Sequence, residues 1–325
     1  MKKNIALVGC GHWGKNLLRN FYELGALKAI CDPNQEIART FSDKYKVDCL
    51  SYDEILINKN IKGVVLAVPA PLHATMAIEA MNAGKHVFVE KPLALNEAEA
   101  KEMIANSHKN NVQLMVGHLL QYHPVFIKIR EIIKSNKLGK LNYIYSNRLS
   151  FGKVRSEENV IWSFAPHDIS MILSLIPKNP ISVRAESSCI LNKSIADKAL
   201  VQIDFESNLK AHISISWLHP YKEQKLVIIG SKGSLVFDDT KEWDEKLIVY
   251  PHEIDLSKKL PLIQQSSAYY IQVKKSEPLK NECKHFLDVV NNLIKPLTNG
   301  EEGLAVLKIL NAADKSQKIH KSVKI

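Results

Sequence analysis

The sequence predicts two domains: an α/β first part built on a parallel sheet, then an α+β part built on an open, mainly antiparallel sheet. Three observations carry this expectation. Up to about residue 118, short apolar runs alternate with stretches whose apolar residues recur at helical spacing. From Leu141 the pattern becomes long, alternating strand-like segments. The chain then returns to helix after residue 278. At 325 residues the chain is long for one core. The expected division is 1–118 and 119–325, with the C-terminal helices free to pack back on the first domain.

The elements of the first part follow in order. "NIALVGC" reads as a buried strand, and Leu17, Leu18, Phe21 and Leu24 give a helix from Gly14 to Leu24. "LKAICD" is a second strand and "QEIARTFSDKY" a second helix. "KGVVLAVP" is a third strand, followed by the helix "HATMAIEAMNAG", which Gly84 closes. "HVFVE" is a strand, "NEAEAKEMIANSHKNN" a helix with Asn96 as its N-cap, and "VQLMVGH" the last strand. Strands this continuously apolar belong to a sheet covered on both faces. "HPVFIKIREIIKSNKLG" then predicts one amphipathic helix stopped at Gly139. The long strands that follow include hairpin turns at Ser207-Asn208 and around Ser231-Lys232-Gly233. "LKNECKHFLDVVNNLI" and "GEEGLAVLKILNAADKSQK" are the closing helices.

Composition excludes several classes. The apolar run after the two N-terminal lysines is too short for a signal peptide and is broken by glycine at once. No stretch reaches the roughly 18 apolar residues of a membrane span, so a soluble, cytoplasmic protein is expected. Five cysteines, an odd number without CxxC spacing, read as reduced and mostly buried thiols. The formal charge of +10 is spread along the chain, and no nucleic-acid-binding pattern accompanies it. An anionic small substrate fits that balance equally well. The pairs Asp238-Asp239 and Glu157-Glu158 lack histidines at ligand spacing, and "HEIDL" lacks a second histidine, so no metal is expected. "GSKGS" at 230–234 lies between strands with no helix after it, which makes it a hairpin turn rather than a phosphate loop.

The strongest local signal is Gly9-Cys10-Gly11-His12-Trp13-Gly14 between a strand and a helix. Gly9 suits the tight turn, Gly11 lets backbone approach a pyrophosphate, and Gly14 lets helix and strand pack. Cys10, His12 and Trp13 line the same turn. Asp32, at the end of the next strand, is placed to accept from ribose hydroxyls and to repel a 2′-phosphate, which favours NAD over NADP. A carboxylate capping the turn before Pro33 has the same sequence appearance. This is the pattern of a Rossmann domain. Pro69 and His73 end the third strand and open the next helix, at the cofactor edge; for His73 a helix-opening structural role stands beside cofactor contact.

The strand "HVFV" runs directly into Glu90-Lys91-Pro92. Residues alone leave two readings open there: a solvated ion pair, or a lysine aimed at a reaction centre. At this point the chain resembles the Gfo/Idh/MocA oxidoreductases. The glycine motif, the acid after the second strand, "VP…H" and "EKP" carry the likeness. "HDIS", "GSKGSLVFDD" and "HFLDVV…GEEGLAVLKILNAAD" extend it over nearly the whole chain.

The resemblance implies that Lys91 reaches both nicotinamide and the hydroxyl being oxidised, with Glu90 beside it and the Lys91–Pro92 bond a candidate for cis. It implies a partner in the second domain, where "ENVIWSFAPHDISMI" places His167 and Asp168 at the start of a helix. His167 suits proton transfer near neutrality, and Asp168 suits orienting the ring or, in preference, capping the helix. Many members carry an acid four residues before this histidine; here that residue is Ser163. The family position of the pocket floor holds His118, Gln121 and Tyr122. Arg148, Arg155 and Trp162 follow, with arginines suited to a diphosphate or carboxylate.

The arginine-rich loop looks most like the branch acting on nucleotide-linked amino sugars, the UDP-N-acetylglucosamine or UDP-N-acetylglucosaminuronate 3-dehydrogenases, which implies a role in surface polysaccharide or lipid A precursor synthesis. The expected protein is thus an NAD-dependent dehydrogenase with a nucleotide-sugar substrate, a homo-oligomer with neither nucleic acid nor membrane as partner. Another sugar or inositol dehydrogenase, a keto-sugar reductase, and a non-catalytic NAD-binding sensor are the alternatives.

Overall fold

The structure, a computed structural model, describes residues 3–152, 154–155, 158–255, 260, 262–291 and 294–325. Met1, Lys2 and Glu157, which entered the sequence expectations, lie outside them. Two compact units emerge. The first comprises residues 1–122 and 276–307, the second residues 123–275 and 308–325.

The first unit alternates β1 (Ile5–Val8), α1 (Gly14–Glu23), β2 (Leu27–Cys31), α2 (Gln35–Tyr45), β3 (Asp48–Cys49), α3 (Tyr52–Ile57), β4 (Gly63–Leu66), α4 (His73–Asn82), β5 (His86–Val89), α5 (Glu97–Lys109) and β6 (Leu114–Val116). Its sheet has the order β3-β2-β1-β4-β5-β6, and every pairing is parallel. That order reverses direction between β1 and β4, which opens a crevice at their carboxyl ends, where ligands bind in such sheets. α3, absent from the sequence expectations, is nucleated by a reciprocal capping box between Ser51 and Glu54 rather than by a long apolar stripe.

The second unit begins with α6 (Pro124–Lys134), β7 (Leu141–Phe151) and α7 (Val160–Leu175). The strands β8 (Pro180–Ser188), β9 (Lys198–Phe205), β10 (Lys210–Ser216), β11 (Leu218–Gly230), β12 (Gly233–Asp238), β13 (Leu247–Asp255), β14 (Leu262–Gln265) and β15 (Tyr269–Tyr270) follow. α8 (Pro278–Val290) belongs to the first unit. α9 (Gly300–Ile319) runs from the first unit's segment into the second's, and β16 (Val323–Lys324) ends the chain. The strand order is β14-β13-β12-β11-β7-β10-β9-β8-β16, antiparallel except for the parallel pair β7–β10. Both expected hairpins form, with Ser207 and Asn208 at positive φ in one and Ile229 facing Ser234 across the other.

The core of the first unit explains why a segment so far along the chain joins it. Phe286 of α8 is fully buried and sets its ring 6.2 Å from that of Phe21 on α1 and 5.7 Å from that of Phe88 on β5. Leu279, Cys283, Leu287 and Val290 repeat at helical spacing on the same face and enter the same cluster. Among the described residues only Cys10 and Cys283 of the five cysteines are buried; Cys49, on the edge strand β3, and Cys189, in the loop after β8, are exposed, against the expectation of mostly buried thiols. Replacing Phe286 by alanine removes the ring that joins α1, β5 and α8. The expected loss is about 3–5 kcal/mol, read as a fall in the urea midpoint with the native circular dichroism kept before the transition.

Candidate active site

The glycine turn shows three different uses of glycine. Gly9 has φ +92°, and a Cβ there would meet the Ala67 carbonyl oxygen at 2.5 Å. A Cβ on Gly14 would lie 1.9 Å from the Gly9 carbonyl oxygen. Both glycines are therefore required by the turn's own close backbone approach. At Gly11 a Cβ would enter open space, so the room left there serves something outside the turn. The helix behind it points the same way. α2, α3 and α5 each have an Asn or Ser side-chain cap and acids in their first turn, whereas α1 has neither. Its N-terminal end keeps its positive character for an anion. Asp32 lies alongside, accepting from the Cys10 N–H at 2.7 Å and the Asn34 N–H at 2.9 Å. It thus closes the following turn and also faces the glycine turn. Together these residues fit the pyrophosphate and ribose of a dinucleotide.

β5 delivers the next group. Its end is fixed on both sides, the Glu90 N–H bonding Leu66 O and the Gly117 N–H bonding Val89 O. The Glu90 carboxylate accepts from the Trp13 indole N–H at 2.6 Å and from the Lys91 N–H at 3.3 Å. It lies flat against Gly117, where a Cβ would meet its carboxyl carbon and both oxygens at 3.1 Å. Burial pushes the Glu90 carboxyl up, against the Trp13 hydrogen bond, the Lys91 charge and N–H, and the His118 charge. The Lys91–Pro92 peptide is cis.

His73 sits behind this strand end, 1% exposed, with Nδ1 2.8 Å from Pro92 O and Nε2 2.9 Å from Val68 O. The ring ties the segment after β4 to the segment after β5. Burial lowers its pKa, with Lys91 acting in the same sense and the two carbonyls opposing. Both ring nitrogens are engaged by backbone carbonyls, so the ring is held between two segments of the chain. Pro69 is exposed at the end of the β4 segment, and Gly11, His12 and Trp13 are exposed in the turn.

The residues expected on the pocket floor are deeply placed within the first unit. His118 is 1% exposed, with Nδ1 2.6 Å from a Glu302 carboxylate oxygen. Gln121 is buried, and Tyr122 sets its hydroxyl 3.0 Å from Thr298 Oγ1. Within reach of the Glu90 charge lies a second acid, absent from the sequence expectations. Glu282 on α8 is fully buried, and neither carboxyl oxygen has a hydrogen-bond partner among the described residues. Burial, reinforced by the Glu90 charge, raises its pKa well above the usual range, which favours the neutral acid. A charged residue at a core-facing position, one turn before Phe286, was the available signal.

The second unit corrects two expectations. α7 starts at Val160, capped by Asn159, whose side chain accepts from the Ile161 and Trp162 N–H groups at 3.0 and 3.2 Å. Asp168 therefore lies well inside the helix and caps nothing. Pro166 is also internal, and having no N–H it cannot donate to the Trp162 carbonyl. Asp168 instead accepts from Arg148 Nε at 2.5 Å, Arg148 Nη2 at 3.1 Å and Ser146 Oγ at 2.6 Å. Burial opposes the Arg148 charge, and the Asp168 carboxylate more than restores it. Arg148 is thus a structural cation inside the unit, not an exposed fork for a ligand. Its strand position pointed inward, and the buried acid decided its partner. Arg155 stays at the surface in an ion pair with Glu158 at 2.6 Å. His167 and Trp162 are half-buried on α7, while Ser163 is buried. Asp239 is engaged by Lys246 at 2.8 Å and His123 at 3.4 Å, and among the described residues no cluster of three or more ligand-type side chains is placed to hold a metal.

This fold and turn define a nucleotide-binding, two-unit oxidoreductase architecture. The profile described as oxidoreductase family, NAD-binding Rossmann fold, matches residues 3–118, and the GFO/IDH/MocA C-terminal domain profile matches residues 126–236. The chain belongs to the Gfo/Idh/MocA family of NAD-dependent oxidoreductases.

It is 24% identical to the uncharacterized oxidoreductase YrbE of Bacillus subtilis, over 97% of this chain and 95% of that one. It is also 24% identical to the myo-inositol 2-dehydrogenase of Thermotoga maritima, over 99% and 98%. The UDP-N-acetylglucosamine 3-dehydrogenase of Acidithiobacillus ferrooxidans is 26% identical over 65% of this chain and 66% of its own. The solved structure of that dehydrogenase, GnnA, superimposes with TM-score 0.86 at 22% identity over 97% of both chains. Among the described residues no helix is long and apolar enough to cross a membrane.

Two outcomes follow from this geometry. Gly11→Ala is expected to leave the melting temperature nearly unchanged and to weaken NAD binding about tenfold or more. Gly14→Ala, which forces a backbone clash, is expected to lower the melting temperature itself; calorimetry and an NAD titration of both variants separate the two. Glu282 has a folded pKa above its ordinary 4.5, so unfolding releases a proton at any pH between the two values. Wild-type stability then falls relative to Glu282→Gln as pH rises above about 4.5, by up to ~1.4 kcal/mol per pH unit. Parallel urea titrations from pH 5 to 8 measure the divergence; parallel curves would mean an ionised, partnered Glu282.

Proposed function

We propose that the protein oxidises a ring hydroxyl, at C3, of a nucleotide-linked amino sugar to the ketone. The observation that carries the reading is the convergence at one sheet edge of the open Gly11 turn and the Glu90-Lys91 end of β5. NAD, when bound, supplies the hydride acceptor.

Lys91 of the first unit holds the reacting oxygen through its ammonium group, stabilising negative charge as it develops there. His167 of the second unit takes the hydroxyl proton, a task suited to imidazole near neutral pH. The nucleotide half of the reading is supported by likeness to the UDP-N-acetylglucosamine 3-dehydrogenase and by Arg155, a surface cation of the β7–α7 loop. Exposed apolar residues of the second sheet, among them Ile181, Leu200 and Tyr250, support a homo-oligomer.

A neutral polyol such as inositol is the second reading. The burial of Arg148 against Asp168 favours it, since one of the two cations proposed for a diphosphate is committed elsewhere. Absorbance of NADH after mixing the protein with NAD and, in turn, UDP-N-acetylglucosamine, its uronate and myo-inositol distinguishes the readings. Signal with a UDP-sugar alone is the expected result, and signal with inositol alone replaces it by the second. Lys91→Ala is expected to cost at least about a hundredfold in turnover while still binding NAD; a variant that keeps full turnover removes Lys91 from the chemistry.

A further inference from the structure

Glu90 stands where several charged and polar groups meet. Lys91 follows it in the chain, His118 bears on it from the segment after β6 with Glu302 of α9 behind, and Glu282 of α8 lies beneath it. His73 of α4 is close enough to Lys91 to feel its charge.

Among the described residues Glu282 has no donor and Glu90 has two, so of the two neighbouring carboxyls Glu90 is the better held as an anion. The shorter of its two bonds comes from Trp13, in the range of charge-assisted bonds, while the Lys91 N–H is at 3.3 Å. Trp13 is 41% exposed and lies in the cofactor turn between Gly11 and Gly14, so filling the core does not account for its position. Its indole N–H spans from that turn to the end of β5.

We propose that Trp13 is a positioning residue: its indole clamps the Glu90 carboxylate on Gly117 and so fixes the counter-charge of Lys91, joining the cofactor turn to the lysine. The clamp rests on Lys91 being the catalytic group of the proposed function. It makes Glu90 the fixed anion of the strand end, kept ionised by the indole, and leaves Glu282 as the neutral acid that does not compete with it.

The test is the rate at which acetic anhydride labels Lys91 as a function of pH, followed by mass spectrometry on the intact folded protein without cofactor and again with NAD. Loss of the counter-charge makes the ammonium easier to deprotonate. Trp13→Phe and Glu90→Gln are each expected to move the midpoint of Lys91 labelling down by about one pH unit. A role confined to cofactor contact or packing would weaken NAD binding in Trp13→Phe and leave that midpoint in place. An unmoved midpoint in Glu90→Gln overturns the proposal, as does one that moves in Glu90→Gln and stays in Trp13→Phe. Should Trp13→Phe fail to fold, Gly117→Ala, which presses a methyl group on the carboxylate from the opposite side, is read in the same way. Undiminished turnover in Lys91→Ala would sink the catalytic role of the lysine and leave the labelling result standing on its own.

Discussion

The chemistry of the first unit depends on how closely β1, α1 and β4 approach one another at the carboxyl edge of the parallel sheet. Gly14 can lie on the Gly9 carbonyl, and Gly9 on Ala67, because none of these contacts has a side chain in the way. That approach brings the start of α1 to the crevice between β1 and β4, with its first-turn donors uncapped. It sets Trp13 within hydrogen-bond reach of the end of β5 and places the Cys10 N–H on Asp32. A bulkier turn would part the helix from the sheet, and the cofactor site and the lysine would lose their shared edge.

Charge inside each unit obeys one rule: a buried ionisable group keeps its charge where donors or a counter-ion hold it, and loses it elsewhere. Glu90 is held by an indole, a backbone N–H and the Lys91 charge, whereas the Glu282 carboxyl has no hydrogen-bond partner among the described residues. In the second unit Arg148 and Asp168 satisfy each other, with Ser146 completing the acid's shell. The consequence for recognition is direct. A cation whose fork is already filled by a buried carboxylate does not select an anionic substrate, so Arg155 is left as the sequence-predicted arginine at the surface.

Much of this was legible in the chain. The βα alternation, the glycine turn, Asp32 after β2 and the strand running into Glu90-Lys91-Pro92 are local patterns, each written within about thirty residues. The parallel sheet and the hairpins of the second sheet follow from such patterns, since strand period and turn residues are short-range properties. The start of α7 was misplaced because Pro166 reads as a boundary in sequence, while Asn159 supplies the actual cap seven residues earlier. α3 was overlooked because its signal is a capping box rather than an apolar stripe.

The sequence by itself determined the class of fold, the place of the cofactor turn and which lysine ends the strand beside it. Tertiary structure decided which polar groups are available. It paired Arg148 with Asp168, buried His118 against Glu302, engaged both nitrogens of His73 with carbonyls, and left Glu282 without a hydrogen-bond partner among the described residues. Each of these outcomes joins residues far apart in the chain or depends on burial. Secondary structure is encoded by neighbours, whereas the charge and reach of a side chain are set by what folding places around it.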